Sequence, residues 1–170
     1  SSLTNTVLQG QDATNQTFEV WNSGGGTLSF TNTVDQSWLS VAPTNGSSTG
    51  EYVTNVVAYS TAGLVPNTYH ATITIKSQVA TNTIPVTLIV NPCTYVLNPT
   101  FASHQSGSEW GNFDVIATAG CSWSASTTND WIHTNAPSSG NGNGAVNYTV
   151  DANTGTARVG TITVGGQTFT

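Results

Sequence analysis

Two stretches of this chain repeat one another. SWLSVAPTNGSSTG (37–50) and DWIHTNAPSSGNGNG (130–144) each open with a polar residue, then Trp and a large aliphatic. Each reaches Ala-Pro a few residues later and dissolves into Ser, Asn and Gly. The flanks repeat as well. FEVWNSGGGTLSF (18–30) sets without a gap over FDVIATAGCSWSA (113–125), so that Phe18 falls on Phe113, Gly26 on Cys121 and Leu28 on Trp123. VVAYSTAG (56–63) sets over YTVDANTG (148–155), and TITI (72–75) over TITV (161–164). The separation of matched residues falls only from 95 (Phe18 to Phe113) to 89 (Thr72 to Thr161). An internal repeat of roughly ninety residues predicts two small domains rather than one larger fold.

Period-two alternation runs through both copies. Phe18 and Val20, Ile73 and Ile75, and the run Ile84, Val86, Leu88, Val90 alternate with polar or small residues, as do Tyr148 with Val150 and Ile162 with Val164. Gly, Asn and Pro clusters punctuate these runs, and no window of helical length carries a 3.6-residue apolar period. The pattern predicts an all-β chain of two tandem immunoglobulin-like antiparallel β-sandwiches, 1–91 and 92–170, with the boundary at Asn91-Pro92.

The surface chemistry narrows the partners. Formal net charge is −6, and Lys76 and Arg158 are the only basic residues. Binding a nucleic-acid backbone needs clustered Lys and Arg, so nucleic acid is excluded as a partner, and an anionic membrane surface with it. No apolar run is long enough to span a bilayer, so membrane insertion is not expected either. Charged residues make up 6% of the chain, against about 25% in an ordinary globular protein. Thr, Asn, Ser and Gly carry the polarity instead, a composition typical of exported, β-rich proteins, so secretion or bacterial cell-surface display is expected. In that setting Cys93 and Cys121 read as one disulfide, with two buried thiols as the alternative.

Residues with catalytic chemistry are scattered. His70, His104 and His133 share no spacing and read as surface histidines. No Ser-His-Asp set or facing carboxylate pair can be drawn without picking from distant places. Asp151 and Asn153 form a lone Asp-x-Asn, a weak calcium signal. SGGG at 23–26 lacks the helix and Lys of a phosphate cradle. No cofactor, metal site or catalytic residue is expected, and the chain reads as non-enzymatic.

Aromatic side chains remain. Trp38 and Trp131 recur in both copies, and Trp123 shares a face with Cys121 and Ala125, so these three are expected in the cores. Trp21, opposite in face to Phe18 and Val20, and Trp110, in a Gly/Ser-rich loop before a strand, are the candidates for a flat glycan platform, with Tyr59 third. The competing expectation for Trp21 and Trp110 is packing at a domain or subunit contact. Asn15, Asn45 and Asn147 open Asn-x-Ser/Thr sequons and are candidate N-glycosylation sites.

The second copy resembles a BACON domain, a bacterial extracellular β-sandwich, through CTYVLNP at 93, GCSW at 120, DWI at 130, GNGAVNYTVDANTG at 142 and ARVGTITVGGQTF at 157. The first copy resembles a related variant through FEVWNSGGGTLSF, SWLSVAPTNGSSTGE and the run from YHATITI to TIPVTLIV. The resemblance implies modules appended to surface proteins and polysaccharide-acting enzymes, with carbohydrate binding and spacing as competing roles. It carries no fixed set of binding residues.

The copies differ at their ends. After TITI the first copy runs on through TNTIPVTLIV, whereas TITV is followed only by GGQTFT; conversely, nothing in the first copy answers CTYVL. A strand is thus expected to be short in each domain. Three readings follow: neighbouring domains of a longer array complete the sandwiches, the ordered part ends there, or other copies of the chain supply the missing edges. An edge with unpaired backbone invites strand addition, and a head-to-tail contact of that kind builds a filament.

Overall fold

Alternation in the sequence becomes alternation in burial. A computed structural model describes residues 1–170. In the longest hairpin, β7 (Asn67–Ser77) turns Ala71, Ile73 and Ile75 inward, and β8 (Thr81–Asn91) does so with Ile84, Val86, Leu88 and Val90. All seven are buried, and full burial of an aliphatic side chain stabilises by about 1.5–3 kcal/mol. Thr and Asn alternate with them on the outer face, where β-branched polar residues suit a pleated, half-wet surface.

The chain divides into two units, Ser1–Pro92 and Cys93–Thr170. Unit 1 adds β1 (Leu3–Leu8), β2 (Gln16–Val20), β3 (Leu28–Val34), β4 (Leu39–Ala42), β5 (Asn45–Ser48) and β6 (Val53–Tyr59) to that hairpin. Its five-stranded sheet has the order β1-β8-β7-β3-β5, and its three-stranded sheet β2-β6-β4. All pairings are antiparallel except β1 on β8, which is parallel (Leu3↔Val86 to Leu8↔Asn91). The core between the sheets centres on Phe30, Leu39, Val57, Ile73, Val86 and Leu88. Asn32 and Asn55 are buried among them, joined by Asn32 Nδ2 donating to Asn55 Oδ1 at 2.8 Å.

Unit 2 comprises β9 (Tyr95–Asn98), β10 (Glu109–Ala117), β11 (Ser122–Ser126), β12 (Ile132–Asn135), β13 (Ser139–Asn141), β14 (Gly144–Val150), β15 (Ile162–Val164) and β16 (Gln167–Phe169). They form two four-stranded sheets, β12-β14-β10-β9 and β13-β11-β15-β16. An aromatic cluster fills the core: Phe113 stacks on Phe169 at 4.3 Å between centroids, with Tyr148 5.3 Å from Phe169. The Cys93–Cys121 disulfide ties the segment before β9 to the turn before β11.

Pairing registers refine the repeat. Phe30 lies opposite Gly46 as Trp123 lies opposite Gly140, and in both cases a Cβ on the glycine would stand 2.5 Å from the ring. Phe30, not Leu28, is therefore the counterpart of Trp123, and Leu28, not Gly26, answers Cys121. A two-residue error preserves the face, so alternation could not expose it. Likewise Tyr59 opposes Leu39 as Val150 opposes Ile132, so Tyr59 answers Val150 and not Asp151. The Ala-Pro bond of each echoing stretch, Ala42-Pro43 and Ala136-Pro137, is cis.

Two departures from the repeat stand out. β2 has a partner on one side only, whereas its counterpart β10 is also paired with β9. And unit 2 carries a disulfide where unit 1 has none.

Candidate functional site

Unit 2 has a groove bordered by β16. The matched pairs Ile73↔Ile84 and Ile162↔Phe169 make Phe169 the counterpart of Ile84. In unit 1 the chain then continues through Val86, Leu88 and Val90, fully buried between β1 and β7. In unit 2 Phe169 and Thr170 border a cavity of about 700 Å³. Residues 101–106 form one wall and residues 157–160 the other, and neither stretch belongs to a strand. The floor is Ile132, Tyr148, Val150, Ile162 and Phe169, with half-buried Trp131 at one side. Thr170 stands at the mouth: its N–H donates to the Thr100 carbonyl (3.0 Å), and the Ala102 N–H donates to its own carbonyl (2.9 Å).

Polar groups frame this apolar floor. His104 lies between Glu109 Oε2 (Nδ1, 2.9 Å) and the Tyr148 hydroxyl (Nε2, 2.9 Å), its ring edge-on to Tyr148. It is a clamped residue rather than the isolated surface histidine expected from the sequence. A carboxylate–imidazole–phenol chain could orient a proton, but burial pushes the Tyr148 phenol up, the wrong direction for a nucleophile. Arg158 lies over the Trp131 ring, 4.2 Å from its centroid, and donates through Nη2 to the Asp151 carbonyl at 2.9 Å. In unit 1 the matching contact is Tyr69 set edge-on to Trp38. Asp151 Oδ2 is 3.1 Å from His133 Nε2, while Asn153 accepts from the Gly155 N–H and donates to the Thr156 carbonyl. Those contacts build the turn, and no three His, Cys, Asp or Glu side chains gather to hold a metal ion.

The aromatic candidates separate sharply. Tyr59 is no platform: it is 6% exposed, its ring packs on Trp38, and its hydroxyl donates to Gln16 Oε1 at 2.5 Å. The alternation of β6 turns Asn55, Val57 and Tyr59 into the core together, and burial pushes the Tyr59 phenol up. Trp21 lies just past the end of β2, 49% exposed, its ring 5.0 Å from that of Tyr52, itself 61% exposed. Sequence reading passed over Tyr52, although its place beside Val53, the partner of Val20, would have paired the two. Trp110 is 73% exposed but is the second residue of β10, not part of a loop. It stands on the outer face in the row His133–Thr149–Trp110, next to the row Asn135–Asn147–Asn112. Trp38 and Trp123 are buried as expected, the latter donating from Nε1 to the Gly142 carbonyl at 2.7 Å, whereas Trp131, expected in the core with them, is half-buried at the core's edge beneath Arg158.

Of the sequon asparagines, Asn15 and Asn45 are exposed, the latter in β5, while Asn147 sits half-buried in a strand with neighbours on both sides. No helix is long and apolar enough to cross a membrane. The disulfide fits an oxidising compartment such as the outside of a cell.

Solved structures similar to this chain include the periplasmic chaperone SfaE (12% identity, TM-score 0.41, covering 54% of this chain and 55% of that one). The chain thus spans just over half the length of that chaperone. A Porphyromonas gingivalis protein of unknown function is also similar (10%, TM-score 0.45, 99% and 94%), as is the Pseudomonas aeruginosa CupB2 chaperone (12%, TM-score 0.43, 95% and 88%). No curated protein matches the chain. Two family models match it, one described as "Viral BACON domain" over residues 2–91 and one, named BACON, as "Putative binding domain, N-terminal" over residues 122–170. The first of these covers more than half of the sequence, and the chain belongs to the BACON family.

Proposed function

We propose that this chain is a non-catalytic extracellular structural module, a spacer or building unit of a cell-surface array or filament whose members join by strand addition. The observation that carries this reading is the duplication itself, one β-sandwich of the BACON family set out twice in tandem. β2 of unit 1 is paired on one side only, and a strand could be added along its other edge. Scarce charge and a Thr/Asn-rich surface suit display outside the cell, and the match of unit 1 to a viral form of the domain extends the reading to a particle surface. Electron microscopy with light scattering across a concentration series tests it. Assemblies that grow with concentration and show a fixed repeat are expected; a monodisperse monomer throughout would overturn self-assembly.

A second reading, glycan binding, is favoured by the outer face of unit 2. There Trp110 stands beside three asparagines, a flat arrangement able to stack on a sugar ring and hydrogen-bond its hydroxyls. The exposed Trp21–Tyr52 pair of unit 1 is the other candidate. Against a panel of polysaccharides, Trp110→Ala or Trp21→Ala should each weaken any binding by about tenfold or more if its site is used. Unchanged binding in both variants would exclude these platforms.

A further inference from the structure

The row of asparagines beside Trp110 is made of residues that the fold does not need, because unit 1 builds the same sheet without them. Matching Phe113↔Val146 with Phe18↔Asn55, and Ile132↔Val150 with Leu39↔Tyr59, sets Asn112–Asn147–Asn135 over Thr17–Val56–Ala42. Trp110 falls on Asn15 in the same match. Asn147 has a strand on either side, a place that Val suits better than Asn.

The carboxamides of this row also keep their hydrogen-bonding capacity unused. Elsewhere in unit 2, Asn129, Asn141, Asn143 and Asn153 bond backbone groups through their side chains. The side chains of Asn112, Asn135 and Asn147 have no such partner within the chain. Alternation along β10 turns Phe113 and Val115 inward and Trp110, Asn112 and Asp114 outward. Paired strands lie about 4.8 Å apart, and same-face neighbours along a strand about 7 Å apart. The three carboxamides thus form a line about 10 Å long, one step from the row Trp110–Thr149–His133 and parallel to it.

Charge narrows what can lie there. Neither cation of the chain is on this face: Lys76 belongs to β7 of unit 1, and Arg158 covers Trp131. The carboxylates near it are Asp114, which opposes Ala145 and Asn98 in the next row, and Asp151, which is joined to His133. An anionic ligand would meet these two and no Lys or Arg.

Resting on the glycan reading above, we propose that this outer face of unit 2 binds an uncharged oligosaccharide of at least two linked pyranose rings, one stacked on Trp110 and the next lying along the asparagine row. A pyranose sets its C–H groups against the negative face of the indole. Its hydroxyls both donate and accept, and so does a carboxamide, through NH2 and C=O. A carboxylate or sulfate group only accepts, and would leave each amide oxygen without a donor. Uronic and sulfated sugars are therefore poor ligands on both counts.

The test uses the intact chain, produced without N-glycosylation because Asn147 opens a sequon. It is titrated with hexasaccharides of α- and β-linked glucose and of β-linked xylose, mannose and galactose, and with hexagalacturonate as the acidic probe. Calorimetry gives the affinity, and NMR follows the indole and side-chain amide signals. Saturable binding of at least one neutral hexasaccharide is expected, shifting the signals of Trp110, Asn112, Asn135 and Asn147, with hexagalacturonate at least about tenfold weaker. Trp110→Ala should weaken binding about tenfold or more. The combined change Asn112→Thr, Asn147→Val and Asn135→Ala, which copies unit 1, should do the same without lowering the melting temperature of unit 2. Trp21→Ala should leave affinity within about twofold. Binding lost in Trp21→Ala but kept in Trp110→Ala would overturn this site and keep the glycan reading. Equal or tighter binding of hexagalacturonate would overturn the uncharged class, again keeping that reading. Binding of none of these probes would overturn both.

Discussion

Single residues show where this sandwich is polar inside. Asn55 lies in the middle of the central strand of its sheet and is fully buried; it accepts from Asn32 and donates to the Val53 carbonyl at 2.9 Å. Asn32 Nδ2 also donates to the Pro43 carbonyl at 2.9 Å. By register their counterparts in unit 2 are Val146 and Ala125, so the fold does not require polarity there. Asn55→Ala, which leaves the Asn32 amide with only one of its two acceptors, should cost unit 1 about 1–3 kcal/mol in a denaturant titration. The paired change Asn32→Ala with Asn55→Val, which copies unit 2, should cost markedly less than the single change. Asp12 makes a second, pH-dependent tie. Its Oδ1 accepts from the Ala62 and Thr61 N–H groups, which hold the carboxyl below its ordinary value. A depressed carboxyl contributes its stability above the unfolded-state pKa and loses it as pH falls through the folded one. The melting temperature of unit 1 should therefore drop on acidification below about pH 4, and Asp12→Asn should flatten that dependence.

Elements were legible in the sequence where alternation is long and the two copies agree. The hairpin of β7 and β8, and the inward turn of Phe113, Val115, Tyr148 and Val150, follow from period two alone. The candidate site was legible only as an expectation that the last strand is short. Its floor could not be read, because which residues face one another across a sandwich depends on register, and a shift by one residue reverses every face. That is why Tyr59 passed for a surface aromatic when aligned with Asp151. Trp110 passed for a loop residue because Ser106, Gly107 and Ser108 lead directly into β10 without an apolar onset. The walls of the groove were illegible for another reason: residues 101–106 and 157–160 lie outside the strands, where alternation gives no facing. Close ring-to-backbone approach sets a different limit at this scale. Gly140→Ala would drive a methyl into the Trp123 ring and should destabilise unit 2 by about 1–3 kcal/mol, seen as a lower melting temperature with unit 1 unaffected.

For the molecule as a whole, the two units reach one fold with different fastenings. Unit 1 has the longer strands and no disulfide; unit 2 has shorter strands and a bridge between residues 28 apart. On the chain-entropy estimate the bridge contributes about 3–4 kcal/mol. Replacing both cysteines by Ala should lower the unfolding midpoint of unit 2 while leaving that of unit 1 in place, so calorimetry should resolve two transitions. A single transition shifted as one would mean that the units unfold together.

The placing of the two cations has an outcome for survival outside a cell. A trypsin-like protease needs Lys or Arg in a segment it can pull straight into its cleft. Lys76 is paired on both sides, with Thr31 and with Thr81, and the Arg158 side chain is laid on Trp131 and bonded to the Asp151 carbonyl. Cutting at either point must wait for local opening, so digestion of the native chain reports how often β7 or the wall of the groove lets go.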